Sequence, residues 1–433
     1  MSTSFVEATL SQIFKERDGQ NFVGGMAYYG RKLCKGAAWV GVALSALYII
    51  YAFLCLPAQG YNTITGFNQV ASTITGTTVA TDSVFNYVVF ALMIVFVAYL
   101  SIGGIRRVTK FTDGAVPVMA VVYIGTVLVL IAINFQLIPW FFYAVFTEAF
   151  APNAIFGGAF GVALQQGIKR GLMSNEAGQG TISMAAATSN AKHPCEQGNV
   201  QSLGVFFDTI VICTPTAFVV VMAHLWLGDG GEAFMALDKL PKFVSSADFL
   251  VGNAVVPSMI VTVIVSVCFA LFALTTLVGF LSFTDICAKR ISNNKVFIWA
   301  IKICCLAIIC FGVLANFAGL DLSALWNLSD LANIMMVYIN IPLLYVGLPL
   351  VLRTYKHYNK NAKYMQCIDE KQKYNYKLKK LIARADTSGH NEKIDNKIAA
   401  LNSKLAHAER YIKDHKTDGW QFTSKVVGVD VPV

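Results

Sequence analysis

The residues able to do chemistry crowd into one stretch. Gln165, Gln166, Lys169, Arg170, Ser174, Asn175 and Glu176 lie among Gly167, Gly171, Gly178 and Gly180. The stretch runs over roughly 155–190. It begins apolar, with Gly157-x-x-x-Gly161 spaced for close helix contact, and ends in the small residues Ala185–Ala187. A continuous helix here would set charges and glycines at membrane depth, and each interior glycine costs about 1 kcal/mol. Irregular backbone at that depth is tolerated only where it is buried in protein or lines a cavity. A helix broken there turns freed N–H groups toward anionic groups and freed carbonyls toward cations. The competing reading is two ordinary helices joined by a loop over 169–180.

Asp208 follows in GVFFDTIVICTPTAFVVVM. A carboxylate inside an apolar run is expensive and marks a functional position. Pro215 cannot donate to the carbonyl of Val211, so an acceptor is freed one turn from Asp208. Thr209, Cys213 and Thr216 are spaced to share a face. Two roles stay open for Asp208: partner to a ligand ammonium or cation, or structural ion pair. Thr275 and Thr276 offer adjacent hydroxyls, which either bond back to their own helix or join an oxygen shell around Na⁺. Gln59, Asn62 and Thr63 follow an apolar run, and Asp330, Asn333 and Asn340 lie within another. For Asp330 the preferred role is bonding between helices.

What positions these residues is a membrane. The chain has 433 residues, 56% hydrophobic and 14% charged, against roughly 45–50% and 25% in soluble proteins. Runs long enough to cross lie near 37–56, 85–104, 115–134, 201–226, 254–284, 297–318 and 326–351, with 155–190 as an interrupted eighth. Lys and Arg alternate between successive loops if 155–190 crosses once, which sets both termini in the cytoplasm. Segment 138–150 is too short to span; it reads as an outer interfacial helix with Trp140 and Tyr143 at headgroup level. The expected organisation is a cytoplasmic segment with the end of a preceding helix over 1–36, a transporter bundle over 37–352, and a helical tail over 353–433. That tail holds 17 Lys and Arg against 9 Asp and Glu, so nearly all the net +9 resides there. It marks sidedness, not an acidic substrate. Ile394, Ile398, Leu401, Leu405, Ala408 and Ile412 form a short heptad seam that predicts a hairpin with 364–384. A coiled-coil partner or anionic lipid at Lys371–Lys380 are further options.

No GxSxG, HExxH or P-loop pattern occurs, so an enzyme is not expected. The ten cysteines form no CxxC pair and lie mostly in apolar runs, which points to packing rather than metal or disulfides.

RGLMSNEAGQGTISMAAATSNAKHP followed by QSLGVFFDTIVICTPTAF resembles the alanine or glycine:cation symporter family (sodium:alanine symporters), within the amino acid–polyamine–cation transporter superfamily. The family carries an RGLxSNEAGxG motif ahead of a helix with an FxDT core. FVEATLSQIFK, GGMAYYG, FALTTLVGF and LWNLSDLANIMMVYINIP agree with it, over about 5–352. The resemblance implies an all-α five-plus-five inverted-repeat fold. It implies sodium-coupled symport of alanine, glycine or a similar small neutral amino acid across the plasma membrane by alternating access, without an organic cofactor. By position it makes Ser174, Asn175, Glu176, Ala177, Gly178 and Gly180 the broken helix facing substrate, and Asp208 the acidic site residue. Thr275 and Thr276 become sodium ligands, and Gln59 and Asn62 further substrate contacts, with a one-residue shift in LPAQGYNT. Met1 falls where the family's second helix ends, so a three-plus-five remnant of about eight spans is expected, with half of the sodium shell missing. Phe280 stands where the family commonly has Trp. A sensor or assembly partner that keeps the fold, and a proton-coupled transporter, are the alternatives.

Overall fold

A computed structural model describes residues 1–18, 21–150, 159–226, 237, 239–252, 255–320, 323–388 and 392–415. Among them, seven helices are long and apolar enough to cross a membrane: α3 (Ala38–Thr75), α4 (Val84–Ile102), α5 (Gly104–Ile133), the Pro194–Ala223 helix, α12 (Val255–Ile291), α13 (Lys295–Phe317) and most of α14 (Ser323–Lys360). The stretch expected to make an eighth crossing is broken. Helix α7 (Ala159–Asn175) stops, five residues run without helix, and α8 (Thr181–Thr188) resumes. Neither half reaches the roughly 20 residues that a span needs. The helix runs through 169–175, so the loop over 169–180 is replaced by a gap of only 176–180. Residues 155–158, with Gly157, lie outside the described residues.

The core is built on α3 against α12. Tyr48 and Tyr51 are fully buried and meet Phe283 and Phe280 edge-on, with ring centroids 6.4 and 5.6 Å apart. Large apolar side chains on the outer faces, such as Val95, Val121 and Tyr345, are exposed, as a lipid-facing surface requires.

The N-terminal region holds the main surprise. Helix α1 (Ser2–Ile13) is packed into the bundle, with Ser4, Glu7, Thr9, Ser11 and Gln12 buried. A 12-residue helix rich in short polar side chains shows no apolar window, so its burial cannot be read from hydropathy. A small hairpin follows, β1 (Glu16–Asp18) against β2 (Asn21–Val23), then α2 (Met26–Leu33). Helix α6 (Ile138–Phe150) buries Phe141 against Phe218 and leaves Trp140 and Tyr143 exposed.

The Pro194–Ala223 span is itself irregular. Helix α9 (Pro194–Phe206) widens into a π-helical stretch over Phe207–Cys213 before α10 (Thr214–Trp226). Pro215 lies two residues past this stretch and leaves Val211 O without the donor of an α-turn. A short helix α11 (Lys239–Leu250) precedes α12. In the tail, α15 (Ala362–Ser388) and α16 (Glu392–Asp414) form a hairpin. Ala385 and Ala408 are buried in its seam, and Lys371 pairs with Glu409 at 3.0 Å.

Candidate functional site

The gap in the broken span is held by specific partners. Glu176 sits at φ +51°, Gly178 at +94° and Gly180 at +97°. All three lie in the left-handed region, where a side chain is strained, and a Cβ on Gly180 would stand 2.9 Å from Met26 Sδ. Gly178 N donates to Glu7 Oε2 at 2.8 Å. Asn340 Nδ2 donates to Gly178 O at 2.9 Å and reaches Glu7 Oε1 at 3.4 Å. Tyr29 Oη donates to Asn340 Oδ1 at 2.5 Å. Inside the gap, Asn175 Oδ1 accepts from Ala177 N at 3.0 Å, and Thr181 Oγ1 donates to Glu176 Oε2. Buried backbone groups must find partners somewhere, and here α1 and α14 supply them.

Glu7 and Tyr29 escaped the sequence reading, because a lone Glu in a polar N-terminal segment is unremarkable. Asn340, noted only as a polar group in an apolar setting, is the third member of the brace.

Just before the gap, Ser174 Oγ donates to Asp208 Oδ2 at 2.6 Å and lies 3.3 Å from Cys213 Sγ. Both residues line a cavity of about 530 Å³ together with Tyr123, Cys213 and Thr216, and with Lys242. Phe243, Phe269 and Phe272 make much of its wall apolar. Tyr123 Oη and Thr216 Oγ1 are 2.7 Å apart. Thr209 is not part of this wall; it is exposed. The wide π-turns shift the phase, so Asp208 joins Cys213 and Thr216 on the cavity face in place of Thr209.

The other sequence candidates stand apart from this pair. Thr275 and Thr276 both donate to Phe272 O at 2.9 Å, within their own helix. Gln59 and Asn62 are half-buried on α3 past Pro57, and Thr63 Oγ1 donates to Gln59 O. Asp330, also on α14, accepts from Arg170 Nη2 at 3.2 Å with Lys169 Nζ at 4.0 Å. This is the contact between helices expected of it, and it ties the upper half of the broken span to α14.

At the far end of α8, His193 caps α9, its Nδ1 accepting from Cys195 N at 3.1 Å, and it stacks on His357 with centroids 5.5 Å apart. Burial, with His357 alongside, pushes its imidazole down to about 3.

A bundle of membrane-length helices around a broken span, with a polar pair facing a cavity beside the break, defines a polytopic membrane transporter rather than an enzyme. The chain belongs to the sodium:alanine symporter family, whose model matches residues 1–373. It is 32% identical to the amino-acid carrier protein AlsT of Bacillus subtilis (strain 168), over 84% of this chain and 72% of that protein. It is 31% identical to the probable sodium/glutamine symporter GlnT of the same strain, over 84% and 70%. It is also 31% identical to the sodium/alanine symporter AgcS of Methanococcus maripaludis, over 79% and 70%.

Proposed function

We propose that this chain couples Na⁺ to the movement of alanine, glycine or a similar small neutral amino acid across the cell membrane by alternating access, with both termini in the cytoplasm. The observation that carries the reading is the Ser174–Asp208 bond at 2.6 Å on the wall of the cavity beside the broken helix. An acidic group in a mostly apolar chamber is a partner for an ammonium or a sodium ion. Ser174, at the last turn before the gap, ties Asp208 to a backbone that can rearrange. In this reading Asn175, Glu176, Ala177, Gly178 and Gly180 form the segment that reshapes on substrate binding. Thr275 and Thr276 release their bonds to Phe272 O to coordinate Na⁺, and Gln59 and Asn62 complete the substrate shell. Family membership and relatives named as amino-acid and alanine carriers support the substrate class. The Lys and Arg distribution supports the orientation.

The test is uptake of labelled alanine into proteoliposomes under an inward sodium gradient. Asp208→Asn abolishes uptake and Ser174→Ala reduces it. Sodium-driven uptake unchanged in Asp208→Asn overturns the site. Uptake that follows a pH gradient and ignores sodium overturns the choice of ion.

A further inference from the structure

The structure assigns one face of α15 as a docking surface for anionic lipid headgroups. Residues 371–384 carry six basic side chains, Lys371, Lys373, Lys377, Lys379, Lys380 and Arg384, and no Asp or Glu. The side that meets α16 buries Cys367 and Ala385 and places Lys371 against Glu409. The opposite side carries Lys373, Tyr376, Lys377 and Lys380, all exposed, at spacings of three and four that make one stripe. Among the described residues no ion pair reaches Lys373, Lys377 or Lys380.

The direction this stripe faces is set one turn earlier. Asp369 lies four residues before Lys373, on the same side of α15, and it pairs with Lys192 in the turn between α8 and α9. The side of α15 that touches the end of the membrane bundle is therefore the side that bears the stripe. Lys380 lies eleven residues further on, about 16 Å along the axis. Tyr376, 70% exposed in the middle of the stripe, has the apolar body and polar tip that suit a headgroup layer. The face has three lysines and one ring but no broad apolar surface, so it lies on headgroups and does not insert. A lysine close to an anionic surface shifts the docked population about five-fold, so three act on the order of a hundred-fold at low salt.

The full chain reconstituted in nanodiscs provides the test, with limited chymotrypsin cutting after Tyr374 and Tyr376. Cutting should be about ten-fold slower or more with 30% phosphatidylglycerol than with phosphatidylcholine alone. Salt at 0.5 M should remove the difference. K373E/K377E/K380E should be cut at the phosphatidylcholine rate in both discs, and Lys377→Glu alone should lose part of the protection. Equal cutting of the parent chain in the two discs overturns the proposal. So does protection that needs added RNA or an acidic protein, or protection that survives in the charge-reversed variant.

Discussion

Glu7 braces the gap in the broken span, and its removal should be among the most damaging single changes in the molecule. Its carboxyl group is fully buried and accepts from Gly178 N at 2.8 Å and from Asn340 Nδ2 at 3.4 Å. Glu7→Ala leaves the Gly178 N–H buried without an acceptor, which costs about 1–3 kcal/mol. The void left by the lost side chain adds about 1–2 kcal/mol. The expected loss is about 2–5 kcal/mol. Glu7→Gln keeps the volume and one acceptor. Its amide oxygen can serve Gly178 N, but its nitrogen then faces Asn340 Nδ2, donor against donor. The expected loss is about 1–2 kcal/mol. Unfolding by SDS titration in mixed micelles can be followed with a thiol-reactive fluorophore, because Cys55, Cys195 and Cys287 are free and buried until the bundle opens. A double-mutant cycle with Asn340→Ala should show coupling of about 1 kcal/mol. A Glu7→Ala chain within about 0.5 kcal/mol of the parent, the scale of an ordinary surface substitution, would refute the brace.

Two further outcomes follow from the same geometry. Gly180→Ala places a Cβ at φ +97° against Met26 and should cost about 2–3 kcal/mol. Gly171→Ala, where a Cβ on the helix meets nothing within 4 Å, should be neutral or gain up to about 1 kcal/mol; equal effects at the two sites contradict the assignment of the break. His193 has a folded value near 3, below the ordinary 6.5, so the unfolded chain binds the extra proton between those limits. Stability should therefore fall as pH drops from about 6.5 toward 3, by at most about 1.4 kcal/mol per pH unit. His193→Asn keeps a capping side chain and removes the titration, so its unfolding midpoint should vary less over pH 5–7; parallel slopes for the two chains count against the buried neutral imidazole.

The class of this protein was legible in its residues. Length and low charge require a membrane, and the apolar runs locate seven long helices to within a few residues at many ends. The glycines and charges of 165–180 mark the interrupted span, because such residues cannot continue through lipid without a reason. The tail seam was equally plain, since Ile394, Ile398, Leu401, Leu405, Ala408 and Ile412 are, with Tyr411, the less exposed of the described positions along α16. These features are local or periodic, and period and composition are what a linear chain displays.

The partners of the break are a different matter. Glu7 lies 171 residues from Gly178 and 333 from Asn340, and nothing local in FVEATLSQIFK distinguishes a brace from a polar leader. The cavity face around Asp208 leaves out Thr209 for a related reason. A helical wheel assumes an unbroken turn, and the π-stretch ahead of Pro215 shifts the phase of the helix faces. Composition and spacing determined that the chain crosses a membrane and where one span must break. Only tertiary packing decided which buried donors and acceptors hold the break open, because satisfying a buried backbone group takes an atom within about 3 Å, whatever its distance along the chain.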